Sequence, residues 1–328
     1  MSGSKQNQSL TNWVLELIPS SSSAENGKTS STMGTAIINA LTKKRYTYTF
    51  PSSLVNSIPH PPFITQRTYD AQLAKLSQSF RSSDVFICTF SKCGTTLAEQ
   101  IVLLLLNGGK VEELNPLHKN TLDSNSCKSK VVGKIWTEMA VVNGLFEDDD
   151  MSNENENGVK QACMGEGKAK MSPEQFNTLP SPRVLKTHTP TQLFLDQEQK
   201  VAKVIYITRN PFDACVSCYY HPKPGVSPAS QGMPFDAFCK LWLSTSAEFG
   251  GWIDHTKGWR YTYLNSHNNN NKSDNAEMLW ISYEELVSKP IEAIAKIAIF
   301  IEVDTSLDPT LIQRVATGSK FDNVKKAA

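Results

Sequence analysis

The strongest constraint on the fold is a short apolar run that passes through a glycine-containing turn into a long apolar helix. Residues Asp84 to Phe90 are mostly aromatic or β-branched, which predicts a buried strand. After the turn around Gly94, the stretch Thr96 to Leu106 is apolar enough for a buried helix and ends at Gly108, where a helix is expected to stop. This order of elements predicts one strand, loop and helix unit.

The same alternation of strand and helix signals recurs along the chain. Further strands are predicted at Arg183–Thr187, Lys203–Thr208 and Met278–Ser282, and further helices at Ala214–Tyr220, Tyr283–Lys289 and Ile291–Ile301. Repeated units of this kind predict an α/β fold with a central parallel sheet flanked by helices on both faces. The strand, loop and helix of residues 84–106 resemble a P-loop. Ligands are expected at the carboxyl ends of the strands.

Charge and hydropathy exclude several classes of partner. The 33 Lys and Arg residues against 32 Asp and Glu residues give a net charge of +1, so no global field attracts nucleic acid or an anionic membrane. The longest apolar run, Ile101 to Leu106, is far shorter than the roughly 20 residues that cross a bilayer. The amino terminus lacks the pattern of a secretory signal, so a cytoplasmic protein is expected. Nothing in the sequence sets an oligomeric state.

Composition also divides the chain. Residues 1–60 are rich in Ser, Asn and Thr and are predicted to be a polar, poorly ordered leader. Residues 61–328 are predicted to be the catalytic domain, interrupted by a polar insertion at about 147–172. The Asn-rich stretch from Asn265 to Asp274 predicts a long exposed loop.

The seven cysteines are odd in number and scattered, which argues against a disulfide framework. Cys215 and Cys218 form a CxxC pair without a second pair or a histidine at metal spacing, so two buried thiols on a helix are expected there. No cluster of carboxylates or of His and Cys suggests a metal, and none is expected.

The turn Phe90-Ser-Lys-Cys-Gly-Thr-Thr96 has the chemistry of an anion cradle. A glycine lets backbone amides curl around an anion, and the helix N-terminus adds positive partial charge. Lys92, Thr95 and Thr96 add donors. An ordinary strand-to-helix turn is the alternative. A kinase or nucleotide hydrolase loop would place its lysine after the glycine, and this one does not.

Two further segments place reactive side chains at predicted strand ends. His188 follows the strand of Lys186, so it is a candidate general base beside a lysine that can hold an anion, although a lone histidine is more often structural. Arg209 closes the next strand, and Ser217 lies on the helix after it, so both could grip one phosphate. An ion pair between Arg209 and Asp213 is the alternative.

Taken jointly, these segments resemble the cytosolic sulfotransferases. Lys92-Cys-Gly-Thr-Thr96 is similar to that family's 5′-phosphosulfate loop, and Lys186-Thr-His-Thr-Pro190 to its catalytic Lys-Thr-His-Leu-Pro motif. Two further stretches look like family landmarks, Phe249 to Trp259 and Ile281 to Leu286. The resemblance extends from about Pro61 to Lys326.

The resemblance implies a sulfotransferase that moves a sulfuryl group from 3′-phosphoadenosine 5′-phosphosulfate (PAPS) to a hydroxyl or amine of a small-molecule acceptor. It implies catalytic roles for three residues: His188, Lys92 and Lys186. It implies that the donor nucleotide is bound by Lys92, Cys93, Gly94, Thr95, Thr96, Leu97, Arg209, Ser217, Tyr283, Ser319 and Phe321.

The sequence departs from the family pattern in three places. Leu97 stands where the family commonly has a tryptophan that stacks on adenine, and Ser91 and Cys93 replace the usual proline and serine. The sequence ends at Ala328, before the Arg-Lys-Gly segment that normally closes over the 3′-phosphate, so a truncated carboxyl terminus is expected. A truncated, non-catalytic nucleotide-binding relative is therefore the alternative function.

Overall fold

The computed structural model describes residues 13–19, 33–39, 42–47, 53–61, 64–70, 80–111, 132–137, 173–195, 203–221, 228–230, 232–268 and 277–320. The chain forms two compact units, one of Met1–Gln66 with Pro211–Thr256 and one of Arg67–Asn210 with Lys257–Ala328. The predicted insertion at 147–172 lies outside the described residues, and the predicted domain boundary at residue 60 stays a prediction.

The strands are β1 Trp13–Pro19, β2 Met33–Asn39, β3 Arg45–Thr47, β4 Ser53–Val55, β5 Ile58–His60, β6 Val85–Thr89, β7 Val132–Trp136, β8 Arg183–Thr187, β9 Lys203–Thr208 and β10 Glu277–Ser282. The helices are α1 Thr95–Leu106, α2 Pro173–Thr178, α3 Thr191–Leu195, α4 Pro211–Tyr219, α5 Phe235–Trp242, α6 Trp252–Asn268, α7 Tyr283–Ser288, α8 Pro290–Phe300 and α9 Leu311–Gly318. A 3-10 turn, Glu248–Gly250, precedes α6.

The second unit is built on a parallel sheet. Its five described strands lie in the order β10-β9-β6-β8-β7, and every neighbouring pair is parallel. The strands and helices predicted from the sequence in this unit are confirmed. Strand β7 was missed, because it is an edge strand with Gly133 and Lys134 at its centre and a register shift between Val132 and Ile135.

Helices cover both faces of this sheet, as predicted. Val85 and Ile87 of β6 face a core made with α1, α8 and α9. The alternating residues Phe86 and Cys88 face an aromatic core on the other side, where Trp259 of α6 is fully buried. Because successive side chains of a strand point to opposite faces, β6 lies between the two cores and contributes side chains to both.

A buried ion pair lies at the amino ends of β6 and β8. Arg183 donates from Nε and Nη2 to the two carboxylate oxygens of Asp84 at 2.8 and 2.6 Å, and both side chains are 0% exposed. The same guanidinium lies 4.1 Å over the ring of Phe176 and donates to its carbonyl. This network joins β8 to the start of β6, at the end of the sheet opposite the anion turn.

The first unit contains an antiparallel sheet in the order β1-β2-β3 and the hairpin of β4 and β5. Asn56 and Ser57 turn the hairpin with positive φ angles. None of these five strands was predicted from the sequence.

The loop predicted from Asn265 begins later than expected, because α6 continues to Asn268. In the part of the chain that the structure describes, no helix is long and apolar enough to cross a membrane.

Candidate active site

The anion turn lies between β6 and α1, where the sequence placed it. Lys92 and Gly94 adopt positive φ angles of 65° and 101°, and Gly94 precedes the first turn of α1. A Cβ at Gly94 would come within 2.5 Å of Cδ2 of Tyr283. Glycine is therefore required here both for its backbone conformation and for the space it leaves.

The N-terminus of α1 faces this turn without a side-chain cap, and its first turn holds no acidic residue. The first amides of a helix have no partner within the helix and carry positive partial charge. A bound anion would satisfy them. Thr96 is exposed at this end, whereas the Cys93 side chain is fully buried and its amide donates to the carbonyl of Phe90.

Arg209 joins the turn to Tyr283. It follows β9, and its Nη1 donates to the carbonyl of Lys92 at 2.8 Å. Its guanidinium lies 4.4 Å over the Tyr283 ring, which in turn packs on Gly94. The Nε of Arg209 is buried and makes no hydrogen bond within the described residues. The structure thus brings three predicted nucleotide ligands together around the Lys92 backbone.

His188 lies directly after β8 and is oriented by Thr89 at the end of β6. Its Nδ1 is 2.7 Å from the carbonyl oxygen of Thr89. Since a carbonyl can only accept, Nδ1 carries the hydrogen, and the neutral ring has its lone pair on Nε2. The Thr89 hydroxyl lies 3.2 Å from the same nitrogen and 2.6 Å from the hydroxyl of Thr95. Thr89 therefore connects His188 to the first residue of α1.

Lys186 is held by a carboxylate that the sequence analysis did not single out. Its Nζ lies 2.9 Å from Oε2 of Glu99, and only 1% of the Glu99 side chain is exposed. The other oxygen of Glu99 is buried without a hydrogen-bond partner in the described chain. The predicted anion-holding lysine is thus paired with α1.

A cavity of about 410 Å³ lies beside the turn. Leu97 and Tyr283 line it from one side, and Ser319, at the end of α9, lines it from another. α7 and α8 add apolar side chains to the wall, including Leu286, Pro290 and Ile291, and α9 adds the polar side chains of Gln313 and Thr317. The cavity therefore offers an apolar slot with a few polar groups, as a purine ring requires.

Two predicted ligands, Ser217 and Phe321, stay predictions. Ser217 is half-buried on α4, which belongs to the first unit, so its pairing with Arg209 stays a prediction. Phe321 lies outside the described residues. In the described ranges, no group of three or more His, Cys, Asp or Glu side chains could hold a metal ion.

Thr89 and Glu99 were not predicted from the sequence. Glu99 had a signal, because it is a carboxylate inside the apolar helix run that follows the anion turn. Thr89 had none, since its carbonyl and hydroxyl matter only once His188, 99 residues later, lies beside it.

The family model described as "Sulfotransferase domain" matches residues 82–328, which include the turn, His188 and Arg209. The chain belongs to the sulfotransferase domain family. Membership confirms the resemblance drawn from the motifs and assigns the protein to the sulfotransferases. It also favours a transferase over the non-catalytic alternative.

The relatives of this sulfotransferase agree with the assignment. The chain is 28% identical over 255 residues to mouse "Sulfotransferase 1 family member D1", covering 75% of this chain and 67% of that protein. It is 29% identical over 263 residues to mouse "Sulfotransferase 1B1", covering 76% and 68%. The crystal structure of mouse sulfotransferase SULT7A1 complexed with PAP shares the fold with a TM-score of 0.52 at 18% identity, covering 82% of this chain and 74% of that one.

Proposed function

We propose that this sulfotransferase moves the sulfuryl group of PAPS to a hydroxyl or amine of a small-molecule acceptor, with His188 as the general base. One observation carries the proposal. The bond from His188 Nδ1 to the Thr89 carbonyl leaves the lone pair of the neutral ring on Nε2. The Thr89 hydroxyl, 2.6 Å from that of Thr95, ties the same histidine to the anion turn.

The residues around the turn fit the donor nucleotide. Gly94 lets the Tyr283 ring pack directly against the turn, and Arg209 has a buried Nε without a partner among the described residues. A guanidinium that already stacks on Tyr283 is well placed to bind a phosphate through its remaining donors. The cavity behind Leu97 would take the adenine, and PAP, the product of this donor, is present in the mouse SULT7A1 complex.

The chemistry follows from where charge develops. His188 Nε2 accepts the acceptor's proton as its oxygen or nitrogen forms a bond to sulfur, and the bond from sulfur to the bridging phosphate oxygen breaks. The negative charge grows on that oxygen. Lys92, the hydroxyls of Thr95 and Thr96 and the amides of α1 would stabilise it. Lys186, fixed by Glu99, would help to hold the transferred group in line.

Replacement of His188 by alanine tests the proposal. We expect transfer to a phenol or amine acceptor to fall by about 10²–10⁴-fold, the usual worth of a general base. Binding of adenosine 3′,5′-bisphosphate, measured by calorimetry, should stay within about twofold, because the base acts on the acceptor. His267→Ala, on α6, is the matched control and should retain activity. Retention of a tenth of the wild-type kcat by His188→Ala would remove His188 from this role.

The alternative, a nucleotide binder without activity, gives a different result in the same experiment. The wild-type protein would then bind the bisphosphate and show no turnover with any acceptor class. Absence of bisphosphate binding would contradict both functions.

A further inference from the structure

Two thiols of the first compact unit meet, and neither is among the residues proposed for the active site. The Sγ atoms of Cys215 on α4 and Cys239 on α5 are 3.8 Å apart and share a hydrogen bond. The CxxC spacing predicts two buried thiols, Cys215 and Cys218, on one helix. The structure instead pairs Cys215 with Cys239 of a different helix. Cys218 is half-buried, not buried as predicted.

The packing of the two helices explains why these thiols meet. Tyr219 of α4 contacts the rings of Phe235 and Phe238 of α5, with centroid separations of 5.0 and 5.6 Å. The Tyr219 hydroxyl donates to the carbonyl of Met233, just before α5, at 2.7 Å. Cys215 lies one helical turn before Tyr219, and Cys239 lies beside Phe238. The aromatic cluster therefore holds the two sulfur atoms within reach of each other.

We propose that Cys215 and Cys239 are an oxidation site, at which a peroxide converts the two thiols into an intramolecular disulfide that joins α4 to α5. Cys239 is the thiol that reacts with peroxide first, since it is half-buried, whereas only 5% of Cys215 is exposed. Cys215 is then the resolving thiol.

The electrostatics agree with this order. The hydrogen bond from Cys215 lowers the pKa of Cys239, so the thiolate forms more readily there, although burial and the nearby Asp236 oppose the change. The same hydrogen bond raises the pKa of Cys215, and burial and the neighbouring Cys218 add to that effect. Cys215 thus keeps its proton until the second step.

The two steps balance. The Cys239 thiolate attacks one oxygen of hydrogen peroxide, the O–O bond breaks, hydroxide leaves and takes up a proton, and the sulfur becomes a sulfenic acid. The sulfur of Cys215 then attacks the sulfur of Cys239, the S–OH bond breaks, and the departing hydroxide takes the Cys215 proton as water. Two thiols and one peroxide give one disulfide and two waters.

The disulfide has a consequence that rests on the proposed function. A disulfide needs its sulfur atoms about 2.05 Å apart, so the two thiols must approach by nearly half of their present separation. Ser217, which the family resemblance implies to bind the donor nucleotide, lies two residues after Cys215 on the same helix. We therefore expect oxidation to weaken binding of adenosine 3′,5′-bisphosphate about threefold or more, and a thiol reductant to restore it.

The full chain, reduced and then titrated with hydrogen peroxide, tests the site by peptide mapping under non-reducing conditions. We expect one linked peptide pair containing Cys215 and Cys239. The pair should be absent from Cys239→Ser and retained by Cys218→Ser, which removes the half-buried thiol of the same helix. Calorimetry with the bisphosphate on the same samples should show the loss of affinity in wild type and in Cys218→Ser, and not in Cys239→Ser.

A disulfide between Cys215 and Cys218, or oxidation of Cys239 to a sulfinic acid without a disulfide, would overturn the proposal. A disulfide between Cys215 and Cys239 with unchanged bisphosphate affinity would support the oxidation site and would contradict its expected effect on nucleotide binding. Failure of the reduced protein to bind the bisphosphate would count against the proposed function, while the peptide map would still decide the oxidation site.

Discussion

Among single residues, Arg209 links the anion turn to Tyr283. One donor bonds the Lys92 carbonyl, and the guanidinium stacks on Tyr283. If its remaining donors hold the 3′-phosphate, Arg209→Ala should weaken binding of adenosine 3′,5′-bisphosphate by about tenfold or more, since charge-assisted hydrogen bonds are worth roughly 1.5–3 kcal/mol. Binding of adenosine 5′-phosphosulfate should fall less. Arg209→Lys keeps the positive charge but loses the forked pair of donors, so its bisphosphate affinity should lie between those of the wild type and Arg209→Ala. Equal losses of affinity for both nucleotides, measured by calorimetry, would show that Arg209 supports the turn and does not bind the 3′-phosphate.

Leu97 is the residue at which this chain departs most plainly from the family pattern, and the structure places it in the wall of the apolar cavity. A tryptophan there could stack on adenine, and aromatic pairs are worth about 0.5–1.5 kcal/mol beyond the area they bury. Leu97→Trp should therefore tighten bisphosphate binding by roughly two- to tenfold. Leu97→Ala, the matched control, should weaken it. Weaker binding by Leu97→Trp would mean that the cavity is already filled by the nucleotide.

At the scale of elements, the junction of β6, the turn and α1 depends on one glycine. Gly94→Ala has to adopt a φ of 101° and places a Cβ 2.5 Å from the Tyr283 ring. Gly108→Ala is the matched control, since its φ is 65° and its new Cβ meets nothing within 4 Å. Backbone strain of about 1–3 kcal/mol applies to both variants. Gly94→Ala should lose more stability in urea unfolding than Gly108→Ala and should also lose nucleotide affinity. Equal stability of the two variants would show that Tyr283 moves aside freely.

The same elements show what could be predicted from the sequence. Strands β6, β9 and β10 were found because each is a short apolar run with a clear helix signal after it. The β8 strand was found as well, and His188 and Arg209 lie directly after β8 and β9, as predicted. The β7 strand carries Gly133 and Lys134 and was not found. The pairing of Lys186 with Glu99 and of His188 with Thr89 could not be predicted, because a single sequence does not show which distant side chains meet.

At the scale of the whole molecule, the stability of the second unit depends on the buried ion pair of Asp84 and Arg183 at the amino ends of β6 and β8. Removing one partner of a buried pair costs about 3–5 kcal/mol, because the other charge stays buried. Asp84→Ala should therefore destabilise this unit by that amount in urea unfolding, since Arg183 is fully buried. Lys296→Ala breaks an exposed pair with Glu285 and should change stability by less than about 1 kcal/mol. Similar values for the two variants would mean that water reaches Arg183.

The strand order of the parallel sheet also governs the order in which the chain can fold. The central strand β6 is synthesised before both of its partners, β8 and β9, which lie roughly 100 residues or more further along the chain. Contacts of such long range make folding slow, because the chain loses the entropy of a large loop before any strand pairs. During synthesis, the apolar faces of β6 and α1 therefore stay exposed until β9 leaves the ribosome. A nascent chain of this topology is most prone to aggregation in this interval, and a chaperone would act then.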